Sequence, residues 1–162
     1  MSEQCVELQG SQLLIAVVGR GPSLRNNKFG PLIDSIGFVV RLKRAATDPI
    51  HLGVRTDVVC SRSADHAPHW LFPDCVSWDW RAHWKKFSRH PKPSTGCSAV
   101  LCVPELLPAV TEVVLAGCDY LMHPDKRHPN CTWGHDSMGE HQAIMALGLK
   151  ITDIKDIHAK VR

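Results

Sequence analysis

Ten histidines in a chain of 162 residues are an unusual supply of the side chain whose ordinary pKa lies nearest neutral pH. Several gather between His123 and His141. His135 stands just ahead of a stretch, 136–147, whose pattern fits a helix, and it is the candidate general base; Glu140 follows five residues on. Residues five apart do not stack on one helix face. Glu140, the other member of the candidate catalytic pair, therefore reads as a partner that orients rather than as a second acid. Metal binding is the rival chemistry: His123, His128, Cys131, His135 and His141 supply donors enough for tetrahedral zinc. Their spacings of five, three, four and six follow no finger, ribbon or HExxH pattern, and no metal is expected.

Two further groups are suited to an anion. Gly19, Arg20, Gly21, Pro22 and Ser23 follow the continuous apolar run Leu13 to Val18. A glycine-rich turn between a buried strand and a helix aims backbone N–H groups at a phosphate or carboxylate, although glycine also serves plain chain reversal. Ser94 and Thr95 sit where N-caps belong, with Gly96 next, ahead of a helical Cys97 to Val103. Capping alone explains such a pair, and capping and ligand contact can coexist. Trp78, Trp80, Trp84 and Phe87 are interspersed with Arg81, Lys85, Lys86 and Arg89. They read as an amphipathic helix over the core, or as a platform on which sugars or bases stack. Tyr120, beside Asp119, follows a strand and either edges the pocket or packs in the core.

The elements that must position these groups alternate in type. Leu13 to Val18 lacks polar alternation, the mark of a strand covered on both faces. A short helix over 24–33 and a strand over Ile36 to Leu42 complete a βαβ unit. Short strands are expected at Asp57 to Cys60 and Trp70 to Phe72, a helix at Val76 to Phe87, a last buried strand at Thr111 to Ala116 and a closing helix at Asp136 to Leu147. This predicts one α/β domain over 1–162, a Rossmann-like, doubly wound, mostly parallel sheet flanked by helices. Its ligand site falls at the carboxyl ends of the strands. With 44% hydrophobic and 22% charged residues, the composition is that of an ordinary globular protein. No apolar run approaches the roughly 20 residues of a spanning helix, and Met1 to Gln12 does not read as a signal peptide. Seven cysteines, an odd number without a CxxC, argue against a disulfide framework and for a reducing, cytoplasmic setting. A net charge of +3 gives no general reason to invoke nucleic acid.

Three separated segments together resemble the conserved motifs of the eukaryotic-type sialyltransferase family. Ile15 to Lys43, IAVVGRGPSLRNNKFGPLIDSIGFVVRLK, looks like the large motif: a strand, a VG turn, a helix ending in an acidic-serine pair, and an apolar strand closing on arginine. The match continues into Gly53 to Asp57. Pro93 to Asp119, with its PSTG opening and CD close, looks like the small motif. His135 and Glu140 in HDSMGE match the very small motif. Order and placement agree over about residues 13 to 145.

The resemblance implies transfer of a sugar, with inversion, from a cytidine monophosphate donor to an acceptor hydroxyl, with neither metal nor cofactor. By it, Gly19, Arg20, Gly21, Ser23 and Arg41 line the nucleotide pocket, while Ser94, Thr95 and Gly96 hold the donor at a positive helix end. His135 takes the acceptor proton, because a sugar hydroxyl is a poor nucleophile without a base. The expected picture is a shared anion pocket between the first turn and the PSTG helix, faced by an imidazole. Three departures stand out. Ile15 occupies the place of a family cysteine bridged to the cysteine of the CD pair, here Cys118, so that bridge cannot form, in keeping with the cytoplasmic reading. Arg20 replaces a common asparagine and adds a charge suited to phosphate. The segment from Asp119 to His135 is compressed, so His123 or His128 takes the place of a phosphate-contacting histidine, and the chain is shorter than the usual catalytic domain. The partners implied are a nucleotide sugar and a glycan or other hydroxyl acceptor, with no membrane and with a homodimer as one way to complete the acceptor site. The alternatives are a nucleotide or nucleotide-sugar binding protein without transfer activity, and a nucleic-acid-modifying sugar transferase.

Overall fold

The computed structural model describes residues 13–25, 27–42, 47–60, 85–89, 93–125 and 136–161. Within them, β1 (Leu13–Val18), β2 (Phe38–Leu42), β3 (Val58–Cys60), β4 (Val110–Ala116) and β5 (Lys150–Asp153) form a wholly parallel sheet in the order β3-β2-β1-β4-β5. The helices are α1 (Gly30–Ser35), α2 (Thr95–Leu106), α3 (Asp119–Met122), α4 (Ser137–Met145) and α5 (Ile154–Val161). Strand order runs outward from β1 in one direction and from β4 in the other. That reversal opens a crevice at the carboxyl ends of β1 and β4, where doubly wound sheets take their ligands.

The unbroken apolar character of β1 and β4 follows from burial on both sides. Successive strand residues point to opposite faces. Ile15, Val17, Val113 and Leu115 accordingly join Cys97, Val100 and Leu101 of α2 and Ala143 and Ile144 of α4 in one cluster. Ala16, Val18, Val114 and Ala116 join Ile33 of α1 and Ile154 of α5 in another. A half-exposed sheet would have required polar residues at every second place.

Several boundaries differ from expectation. In place of a helix over 24–33, the chain makes a short 3-10 turn at Pro22–Leu24, and α1 begins only at Gly30. Arg25 is already extended, and Asn27 Nδ2 donates to Ser23 O at 2.5 Å, a local side-chain bond that competes with helix. Pro31 then falls in the first turn of α1, where its missing N–H costs nothing. Asp57 is not part of β3; its Oδ2 accepts instead from the Val39 amide at 2.8 Å. β4 is not the last strand, since β5 and α5 follow it. The expected strand at 70–72, and the expected helix at 76–87 apart from its last residues, lie outside the described residues. No helix among the described residues is long and apolar enough to cross a membrane.

Candidate functional site

At the crevice, the turns that follow β1 and β4 are fastened backbone to backbone. The Gly19 amide donates to Ala116 O at 2.7 Å and the Gly21 amide to Gly117 O at 2.8 Å. A Cβ would lie 2.4 Å from Gly117 O at Gly19 and 2.6 Å from it at Gly21, so only glycine permits the approach. Gly117 itself has φ of +66°, a region that side-chain-bearing residues rarely adopt. The amides of Gly19 and Gly21 are thus given to carbonyls of the β4 turn. Ser23 differs. Its amide donates to Asp119 Oδ2 at 3.0 Å, but its hydroxyl is buried without a hydrogen-bond partner, a state that native structures seldom leave unrelieved. Arg20, on the same turn, is exposed.

Ser94 organises the front of α2. Its Oγ accepts from the Cys97 amide at 3.1 Å and from the Tyr120 hydroxyl at 2.7 Å, and donates to Glu140 Oε2 at 2.6 Å. Its amide donates to Glu140 Oε1, also at 2.6 Å. A hydroxyl has one proton and two lone pairs, and at Ser94 all three are taken up by Glu140, Cys97 and Tyr120. Glu140 is fully buried and ties α4 to α2 through Ser94. Burial pushes the Tyr120 phenol well above its ordinary value, against the opposing pull of its bond to Ser94, so it remains a donor. Gly96 packs beneath it; a Cβ there would lie 3.2 Å from the Tyr120 hydroxyl and 3.3 Å from Leu42 Cδ1. Thr95, 8% exposed, opens the same helix.

Arg41 lies elsewhere. Val40 and Leu42 face α2, so alternation along β2 turns Arg41 with Val39 toward α1, across the sheet from Ser94, Thr95 and Gly96. It is 2% exposed. Its Nε donates to Arg55 O and Thr56 Oγ1, both at 2.9 Å, and its Nη2 to Leu52 O at 3.0 Å; Nη1 is buried without a partner. Burial lowers the Arg41 pKa, with Asp34 opposing. Arg41 thus anchors the loop between β2 and β3.

Charged groups collect on the β5 side of the crevice. His123 Nε2 is 3.8 Å from Asp153 Oδ2, and Lys155 Nζ stands 3.9 Å from Asp153 Oδ2 and 4.0 Å from Asp119 Oδ1. At such separations, with Lys155 part exposed, each pair contributes about 0–1 kcal/mol; their significance is placement. Asp153 and Lys155 were not anticipated. The alternation of Leu149 and Ile151 with Lys150 and Thr152 is the strand signal that points to them. His141 Nδ1 bonds Leu121 O at 2.6 Å. His128 and His135 lie outside the described residues, which resume at Asp136, the N-cap of α4, whose Oδ1 accepts from the Gly139 amide at 2.9 Å. Among the described residues, no group of three or more His, Cys, Asp or Glu side chains is arranged to hold a metal. Cys118, on the β4 turn, is a free thiol that burial, then the neighbouring Asp119, push up to about 12; it packs against β1 rather than acting as a nucleophile.

Residues 13–67 match glycosyltransferase family 29 (sialyltransferase). Among solved structures, the chain is similar to a mammalian sialyltransferase, with a TM-score of 0.59 and 21% identity over 88% of this chain and 69% of that one. It is similar also to a mammalian sialyltransferase in complex with Gal-beta-1-3GalNAc-ortho-nitrophenol, with a TM-score of 0.58 at 21% identity and the same 88% and 69% coverage. No curated protein matches the chain. The family match falls on β1 to β3 with the Gly19–Ser23 turn between the first two. The likeness to glycosyltransferase family 29 thus rests on residues 13–67, and the likeness to the two solved sialyltransferases is one of fold.

Proposed function

We propose that the chain is a glycosyltransferase that moves a sugar from a nucleotide-monophosphate donor of the cytidine type to an acceptor hydroxyl. The observation that carries this reading is the buried, unpartnered Ser23 hydroxyl in the turn that closes the crevice between β1 and β4. A nucleotide oxygen or ribose hydroxyl at that point would satisfy it. Exposed Arg20 supplies the charge for a phosphate, and the start of α2 at Thr95 and Gly96 adds the positive end of a 12-residue helix.

The bond between the anomeric carbon and the phosphate oxygen breaks as the acceptor oxygen bonds to that carbon from the opposite side. His135 removes the acceptor proton, and cytidine monophosphate leaves with the bonding pair. Glu140 takes no part in the proton transfer; with Ser94 it keeps α4, which begins just after His135 in sequence, against the helix that flanks the donor.

The test is thermal stabilisation by cytidine, uridine, guanosine and adenosine monophosphates, since a ligand at 100 times its dissociation constant adds about 2.7 kcal/mol. The expected result is a larger shift with the cytidine nucleotide, reduced in Ser23→Ala. His135→Ala should lose transfer while keeping nucleotide binding. Absence of a cytidine preference, or unchanged turnover in His135→Ala, would overturn the assignment. Binding without turnover in the unaltered protein would favour a nucleotide-sugar binding role.

A further inference from the structure

A cavity of about 490 Å³ lined by Lys85, Lys86, Phe87, Ser88, Arg89 and Asp136 is left unused by the donor reading. Three of these six residues are cations and one is a carboxylate. The cationic side chains are exposed and able to meet a ligand, while the wall behind them is fixed. Ser88 is 8% exposed, and Phe87 packs against the cluster beneath α2 and α4. Phe87 O also comes so near the first turn of α4 that a Cβ on Gly139 would lie 2.7 Å from it. The lone carboxylate, Asp136, spends Oδ1 on the Gly139 amide, and Asp136 directly follows the proposed base His135 in the chain.

Building on the glycosyltransferase reading, we propose that this cavity receives an anionic substituent of the acceptor sugar, a carboxylate or sulfate, so that the preferred acceptor is an acidic saccharide. Its volume is in the range of small-ligand pockets, about 300–1,000 Å³, rather than the long groove that tracks a nucleic-acid strand. The planar fork of Arg89 suits a carboxylate or sulfate, and the two lysines add flexible point charges. The Ser23 turn already accounts for the donor at the crevice. The basic cavity, at the front of α4 where the base adjoins in sequence, therefore belongs to the acceptor.

The experiment is an NMR chemical-shift titration of the full chain with lactose, sulfated lactose and sialyllactose, and separately with cytidine monophosphate. It is run for the unaltered protein and for a Lys85→Glu/Arg89→Glu variant, whose changes fall on exposed side chains. Both acidic sugars are expected to bind about tenfold or more tightly than lactose, with the advantage lost in the variant and nucleotide binding unchanged. A carboxylate-only or sulfate-only preference would identify which anion the cavity takes. The proposal is overturned by equal affinity for acidic and neutral sugars, by an advantage that survives in the variant, by loss of nucleotide binding in it, or by tighter binding of a single-stranded RNA oligonucleotide. Failure of the unaltered protein to bind cytidine monophosphate would instead count against the donor reading, leaving the comparison of sugars legible by itself.

Discussion

A buried carboxylate needs donors, and Glu140 finds two in one residue, the amide and hydroxyl of Ser94, each at 2.6 Å. Glu140→Gln would set an N–H group against a donor, and a buried polar group left unsatisfied costs about 1–3 kcal/mol. Ser94→Ala removes that hydroxyl and the N-cap of α2, a cap worth about 1 kcal/mol. Urea denaturation should show the double variant losing less than the sum of the single losses, because the two side chains act as a unit; additive losses would contradict the clamp. Tyr120, the chain's single tyrosine, provides a spectroscopic reporter beside it. Its pKa is raised in the folded protein by burial, so the unfolded chain releases the phenolic proton first. This contribution to stability is complete below about pH 10, the ordinary tyrosine value, and is lost as pH climbs toward the folded-state value. Phenolate absorbance should therefore appear only together with unfolding, and Tyr120→Phe should lessen the alkaline loss of stability. A phenolate signal at the ordinary value in the folded protein would contradict the burial of this group.

The junction of the β1 and β4 turns is the element on which the candidate site depends. Gly19→Ala or Gly21→Ala drives a methyl group into Gly117 O, and overpacking of this kind costs about 1–3 kcal/mol. Both variants should unfold at lower denaturant and bind cytidine monophosphate more weakly, since Ser23 is carried by the same turn. Gly37→Ala is the control, because its new methyl would meet Leu14 O at an ordinary 3.5 Å. Near-native stability in Gly19→Ala and Gly21→Ala would mean that the two turns are not joined as described. The turn itself was visible in the sequence as glycines after an apolar strand. That its amides serve the neighbouring turn was not, because the acceptors are Ala116 O and Gly117 O, far along the chain.

For the molecule as a whole, the carboxyl-terminal β5 and α5 complete the sheet beside β4 and close its second face. Ile154 is fully buried, and His158 meets the ring of Phe29 edge-on at 5.0 Å, joining α5 to the approach to α1. Domains are stable by only about 5–15 kcal/mol, and emptying one Ile site already costs about 2–5 kcal/mol. Removing residues 150–161 should therefore abolish the cooperative thermal transition followed by circular dichroism; a truncated chain that still melted sharply would show these elements to be dispensable. The sequence by itself determined β1, β2, β4, α2 and α4, together with the Ser94 cap, because two-sided burial demands unbroken apolar runs and capping is a matter of neighbours. The tertiary structure alone decided that Ser94 has no free hydrogen-bonding capacity, that Arg41 faces away from α2, and that Asp153 and Lys155 stand at the crevice. Contacts such as these join distant positions, 46 residues apart for Ser94 and Glu140 and 96 for the Ser23 amide and Asp119, and local pattern carries no record of which distant carbonyl or carboxylate a donor will meet.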